Sequence, residues 1–133
     1  MRGNPLKAML FHPAIRLLLL TAYCGFIFFL SSLSDIGPSH LPPGSDKVIH
    51  FFLYATLGFL ALHFFNGVEG FPRRWVWIVA WGFSVAYGLS DEFHQSFVPH
   101  RTPSFWDLVF DALGSGAGIA FYRRAVGRFL DTP

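Results

Sequence analysis

Charge is what this sequence has least of. Asp, Glu, Lys and Arg make up 14% of its 133 residues, against 53% hydrophobic residues, where a soluble domain carries about 25% charged residues. So thin a polar shell does not suit a water-soluble fold of this size, and lipid is the solvent that the excess apolar surface calls for. Cysteine is nearly absent. Cys24 stands alone inside an apolar run, so no internal disulfide can form and no redox compartment follows. A basic face is missing too. The formal net charge is +2, and the basic residues sit at the ends of apolar runs, which argues against a nucleic-acid partner. No internal repeat or low-complexity tract divides the chain, and its length allows a single domain over residues 1–133.

What the sequence has in abundance is apolar bulk, with 17 Phe and four Trp. It is gathered into four runs: Leu17 to Ser34, Val48 to Phe65, Trp75 to Ser90, and Phe105 to Tyr122. The last is interrupted only by Asp107 and Asp111. A membrane span needs about 20 mainly apolar residues, and each run reaches that length with its flanks. The expected fold is therefore all-α, an integral membrane up-and-down bundle of four transmembrane helices over about 14–34, 47–66, 74–95 and 105–123. The connections are short and carry helix breakers: Gly37, Pro38, Pro42, Pro43 and Gly44 in the first, Asn66, Gly67, Gly70 and Pro72 in the second, Pro99 and Pro103 in the third. Short connections make sequential helices antiparallel neighbours. A cleaved signal peptide is the competing account of the first run, but that run exceeds the 7–15 apolar residues of such a signal.

Lysine and arginine set the orientation. Of the ten basic residues, all but Lys47 and Arg101 fall on the side shared by the N-terminus, the second connection and the C-terminus. The positive-inside rule makes that side cytoplasmic, with both termini inside. The acidic residues show the opposite bias: Asp35, Asp46, Asp91, Glu92, Asp107 and Asp111 map to the far side, and only Glu69 and Asp131 to the basic side. In an up-and-down bundle the start of span two, the end of span three and the start of span four share one leaflet. That places Asp46, Lys47, His50, Asp91, Glu92, His94, Gln95, Arg101, Asp107 and Asp111 at similar depth.

Helical spacing sharpens this. Asp46, His50 and Tyr54 share a face of span two, Asp91 and Gln95 a face of span three, and Asp107 and Asp111 a face of span four. Ionisable groups inside a membrane domain are costly, and mark functional sites by default. Taken singly, Asp46 and Asp107 are explained as acids at helix N-termini, and His63 as a packed or interfacial histidine. Ten groups of mixed sign on three helices are not explained so simply. Gly114 and Gly118 form a small-xxx-small pair, read first as packing within the bundle and second as a dimer face that would allow a homo-oligomer.

Three of these segments resemble motifs of the VanZ-like membrane protein family. Ser45-Asp46-Lys47-Val48-Ile49-His50 with Tyr54 resembles its opening motif, and Asp91-Glu92-Phe93-His94-Gln95 with Arg101 its middle one. Asp107, Asp111, Gly114 and Gly118 resemble the last. The resemblance covers roughly residues 14–122. Asp111 departs from it, since the family often has asparagine there. The family's namesake is linked to low-level teicoplanin resistance, which implies a multi-pass protein of the bacterial inner (cytoplasmic) membrane. No reaction comes with the resemblance.

The expected site therefore lies at the non-cytoplasmic leaflet. His50 and Glu92 are the acid–base candidates, oriented by Asp46 and Asp107. Lys47, Tyr54, Asp91, Gln95, Arg101 and Asp111 are the expected binding residues, since cations beside acids suit anion binding with proton transfer. The expected partner is a membrane lipid, in particular a phosphate-bearing lipid or cell-wall precursor. No cofactor is expected. His50, Glu92, His94, Asp107 and Asp111 include acceptable metal ligands, but with no tight motif such as H-x-x-x-H no metal is assigned. The competing account is non-enzymatic: an envelope accessory protein whose polar cluster is a closed structural network.

Overall fold

The computed structural model describes residues 5–34, 42 and 44–131. Among them are five helices and no strand: α1 (Pro5–Leu10), α2 (Pro13–Ser31), α3 (Ser45–Phe65), α4 (Val76–Gln95) and α5 (Phe105–Asp131). Asp35, Gly37, Pro38 and Pro43 of the first connection lie outside the described residues. The chain is all-α, as expected. Two of its helices, α2 and α3, are long and apolar enough to cross a membrane, with mean hydropathies of 1.9 and 1.8. Asp91, Glu92 and Gln95 at the end of α4, and Asp107, Asp111 and the glycines of α5, dilute the apolar character of the other two long helices.

Beyond shifts of one or two residues at helix ends, three features differ from expectation. The short helix α1 precedes the first long one where no element was expected. Helix α2 ends at Ser31 instead of 34, and the Ser32 hydroxyl donates to the Phe28 carbonyl 2.7 Å away, a local bond that competes with helix continuation. Helix α5 runs to Asp131 instead of 123, because no proline interrupts the chain before Pro133.

The most extensive contact in the molecule is between α3 and α5, and α4 lies against both. Glycine makes the first contact close. A Cβ added at Gly58 would strike the Ser115 backbone, one at Gly114 the Phe51 backbone, and one at Gly118 the Ala55 backbone. The small-xxx-small pair thus serves the α3–α5 contact. Helix α2 packs on α3 and touches α4 lightly. The core these helices enclose includes Leu20 and Ile27 of α2, Tyr54 and Leu57 of α3, Ala80 of α4 and Ile119 of α5.

Side-chain donors on one helix reach backbone carbonyls of the next. Tyr23 on α2 donates to Leu53 O at 3.0 Å, Tyr87 on α4 to Cys24 O at 2.6 Å, and Trp81 on α4 to Ala112 O at 2.9 Å. The outward faces are strongly apolar: Phe29, Phe52, Phe93 and Phe121, one on each long helix, are 59%, 64%, 69% and 64% exposed.

Candidate functional site at the acidic end

The start of α3, the end of α4 and the start of α5 meet at one end of the molecule. Gly44, with φ of 88°, turns the chain into α3 through a conformation that glycine adopts without steric cost. The first three turns of α3 then carry Asp46, His50 and Tyr54 on the inward face.

His50 is the hub. Its Nδ1 lies 2.9 Å from Asp111 Oδ1, and its Nε2 lies 3.9 Å from Asp107 Oδ2. With Asp111 ionised, this bond places a proton on Nδ1 and turns Nε2 toward Asp107. Asp111 is fully buried, and its second oxygen has no partner. Gly88 of α4 leaves the space for that oxygen, since a Cβ there would come within 2.9 Å of it. The Tyr54 ring lies parallel to the His50 ring with centroids 6.3 Å apart, and its buried hydroxyl is also unpartnered.

Around this hub Lys47 Nζ donates to Asp46 Oδ2 at 2.8 Å and to Asp107 Oδ1 at 3.4 Å. Gln95 Nε2 donates to Asp91 Oδ2 at 3.0 Å, one turn apart on α4. Glu92 accepts the Ser104 backbone N–H at 2.8 Å, just before α5 begins, while its other oxygen is buried without a partner. Arg101 follows His100, whose φ of 64° is left-handed, and reaches back to α2. There its Nε and one terminal nitrogen each donate at 3.2 Å, to the carbonyls of Leu33 and Leu30.

All ten predicted site residues therefore lie at this end, but they do not all face the same space. A cavity of about 90 Å³ opens between α2, α3 and α4. Its polar wall is formed by Ser31, His50, Tyr54, Asp91, Gln95 and Arg101, with Asp46 at its edge. Lys47, Glu92, Asp107 and Asp111 lie outside this lining. His50, Glu92 and Asp107 each offer a ligand atom, all within 4.8 Å of one another, so this trio could hold a divalent cation. His94 takes no part in that group. Its Nε2 bonds the Ser32 hydroxyl at 3.1 Å and its ring packs on Phe28.

Sequence reasoning missed the contribution of α2. Ser31, 4% exposed with an unpartnered hydroxyl, lines the cavity, and the end of α2 receives Arg101. The only signal was the run of serines at 31, 32 and 34 closing an apolar stretch.

The model of the VanZ/LLP1 family matches residues 18–127, most of the chain. The chain belongs to the VanZ/LLP1 family. All three of its VanZ-like motifs lie within the matched span, and the structure brings them to one end. A relative, Uncharacterized protein C11E3.10 of Schizosaccharomyces pombe, is 34% identical over 100 residues, which cover 75% of this chain. The same stretch covers 54% of the relative, so the VanZ/LLP1 chain spans about half of that protein's length. A yeast relative also means that family membership alone does not place a chain in a bacterium. No solved structure matches.

Proposed function

We propose that this VanZ/LLP1 chain is a four-span, up-and-down membrane bundle of the bacterial inner membrane with both termini cytoplasmic. Its acidic end binds and processes a polar lipid headgroup or cell-wall precursor at the non-cytoplasmic leaflet. The exposed phenylalanines of all four long helices support the bundle in lipid, because a surface so apolar needs an apolar solvent. The basic asymmetry of the sequence supports the orientation.

One observation carries the site reading: the polar cluster is not closed. A structural network should satisfy its members, yet Ser31 Oγ, Tyr54 Oη, Glu92 Oε1 and Asp111 Oδ2 are buried without partners. Two of these residues, Ser31 and Tyr54, line a cavity that also exposes His50. At about 90 Å³ the cavity is smaller than the roughly 300–1,000 Å³ of a small-molecule pocket, so it suits the tip of a headgroup and leaves the acyl chains in the bilayer. In this reading His50 Nε2 moves the proton, with Asp111 fixing its ring and Glu92 and Asp107 setting the charge around it. Lys47 and Arg101 are already engaged by acids and carbonyls. A phosphate would therefore displace those partners or be bridged by a cation at His50, Glu92 and Asp107.

Glu92→Gln and His50→Gln test this against a structural network. Both keep approximate shape and some hydrogen bonding. Normal membrane abundance and melting temperature, with an altered glycopeptide sensitivity, are expected. A structural network would instead leave a charge buried and unpaired, which costs ~3–5 kcal/mol. Loss of abundance in both variants would reduce the cluster to scaffold.

A further inference from the structure

At the opposite end of the molecule the polar groups carry the other sign. Arg16, in the first turn of α2, is only 8% exposed. One terminal nitrogen donates to the His63 carbonyl at 2.9 Å, and the guanidinium lies 4.9 Å from the Phe11 ring centroid. Gly67 packs directly against it, so that an added Cβ would run into the guanidinium. Its Nε is buried with no partner. The Nε2 of His63 beside it lies 3.0 Å from the Leu10 carbonyl, which can only accept, so Nε2 carries a proton, and Nδ1 lies 3.0 Å from the Tyr122 hydroxyl.

Next to this assembly lies an open cavity of about 300 Å³ walled by Arg16, Asn66, Arg73, Tyr122 and Arg123. Of the carboxylates whose side chains are described, none lies within 4.0 Å of these arginines. Arginines at the end of a membrane span ordinarily snorkel to water and set orientation. That accounts for Arg73 and Arg123, which are exposed. It does not account for Arg16, which is buried and still lines the cavity. Three guanidinium groups on one concavity repel one another until an anion enters. Their planar forks match the oxygens of a phosphate in pairs.

We propose that this cavity is a phosphate-binding site, for the headgroup of an anionic lipid or for a soluble phosphate. It lies apart from the acidic end and does not depend on what that end does. The test uses the full chain purified in neutral detergent. Its melting temperature is followed with short-chain phosphatidic acid, with the diacylglycerol of the same chains, and with inorganic phosphate.

Phosphatidic acid should raise the melting temperature saturably and diacylglycerol should not. A shift with phosphatidic acid alone assigns a lipid source, and a shift with inorganic phosphate as well admits a soluble one. Arg73→Gln and Arg123→Gln should each weaken half-saturation about tenfold, the loss of one charged hydrogen-bonding pair. Arg16→Lys, which keeps the charge and loses the fork, should weaken it as well. If that variant does not fold, the two exposed arginines carry the test. Arg124→Gln, exposed and outside the lining, should change nothing. The proposal is overturned if neither phosphate probe shifts the melting temperature, if diacylglycerol acts as well as phosphatidic acid, or if Arg124→Gln is as damaging as Arg123→Gln.

Discussion

At the scale of single residues the pair His50–Asp111 holds most of the information. The carboxylate is fully buried on α5 and makes one hydrogen bond, to the ring of a histidine on α3. Asparagine is its near isostere, and the amide oxygen would go on accepting from His50 Nδ1. Asp111→Asn should therefore melt close to the parent, whereas Asp111→Leu leaves the ring nitrogen unpaired and should cost about 1–3 kcal/mol. Melting in detergent checks both. Equal losses in the two variants would show that the hydrogen bond is not what Asp111 contributes. The sequence placed this residue a turn deeper than Asp107 and on the same face, and the structure agrees. Spacing could not reveal the partner, because residues 50 and 111 are related only through the α3–α5 packing. Arg101 is the opposite case: its charge suggested a ligand, whereas two of its N–H donors are used on the carbonyls at the end of α2.

At the scale of elements, α3 and α5 depend on glycine. Gly118→Leu would drive a side chain into the Ala55 backbone, and overpacking of this kind costs at least about 1–3 kcal/mol. The expected result is a marked fall in detergent melting temperature. Gly116→Leu is the control, because a Cβ there meets only the Trp81 ring nitrogen at 3.9 Å and should be tolerated. An unaffected Gly118→Leu protein would show that the helices can separate at this point without loss. The four long helices were legible because their apolar runs are broken by proline and glycine clusters. The small-residue pair was legible as a packing signal. The end of α5 and the short helix α1 were not, since a charged helical extension and a charged tail look alike in composition. The buried Arg16 was hidden for the same reason, since nothing in the sequence separates it from arginines that reach for water.

At the scale of the whole molecule, the two ends carry opposite charge, acids with His50 at one and arginines at the other. If the positive-inside rule governs the chain, a cysteine at Pro99 is labelled from outside by an impermeant thiol reagent and one at Gly70 is not. Cys24→Ser removes the native thiol first. Labelling at position 70 with protection at 99 would invert the orientation and move the acidic end to the cytoplasm. The way α2 is fastened to the rest has an evolutionary corollary. Tyr87 and Arg101 grip it by the carbonyls of Cys24, Leu30 and Leu33, and every amino acid supplies a carbonyl. The donors must keep their identities, while the residues they hold can change as long as they stay apolar. Among relatives built this way, the first long helix should drift in sequence faster than the three that follow it.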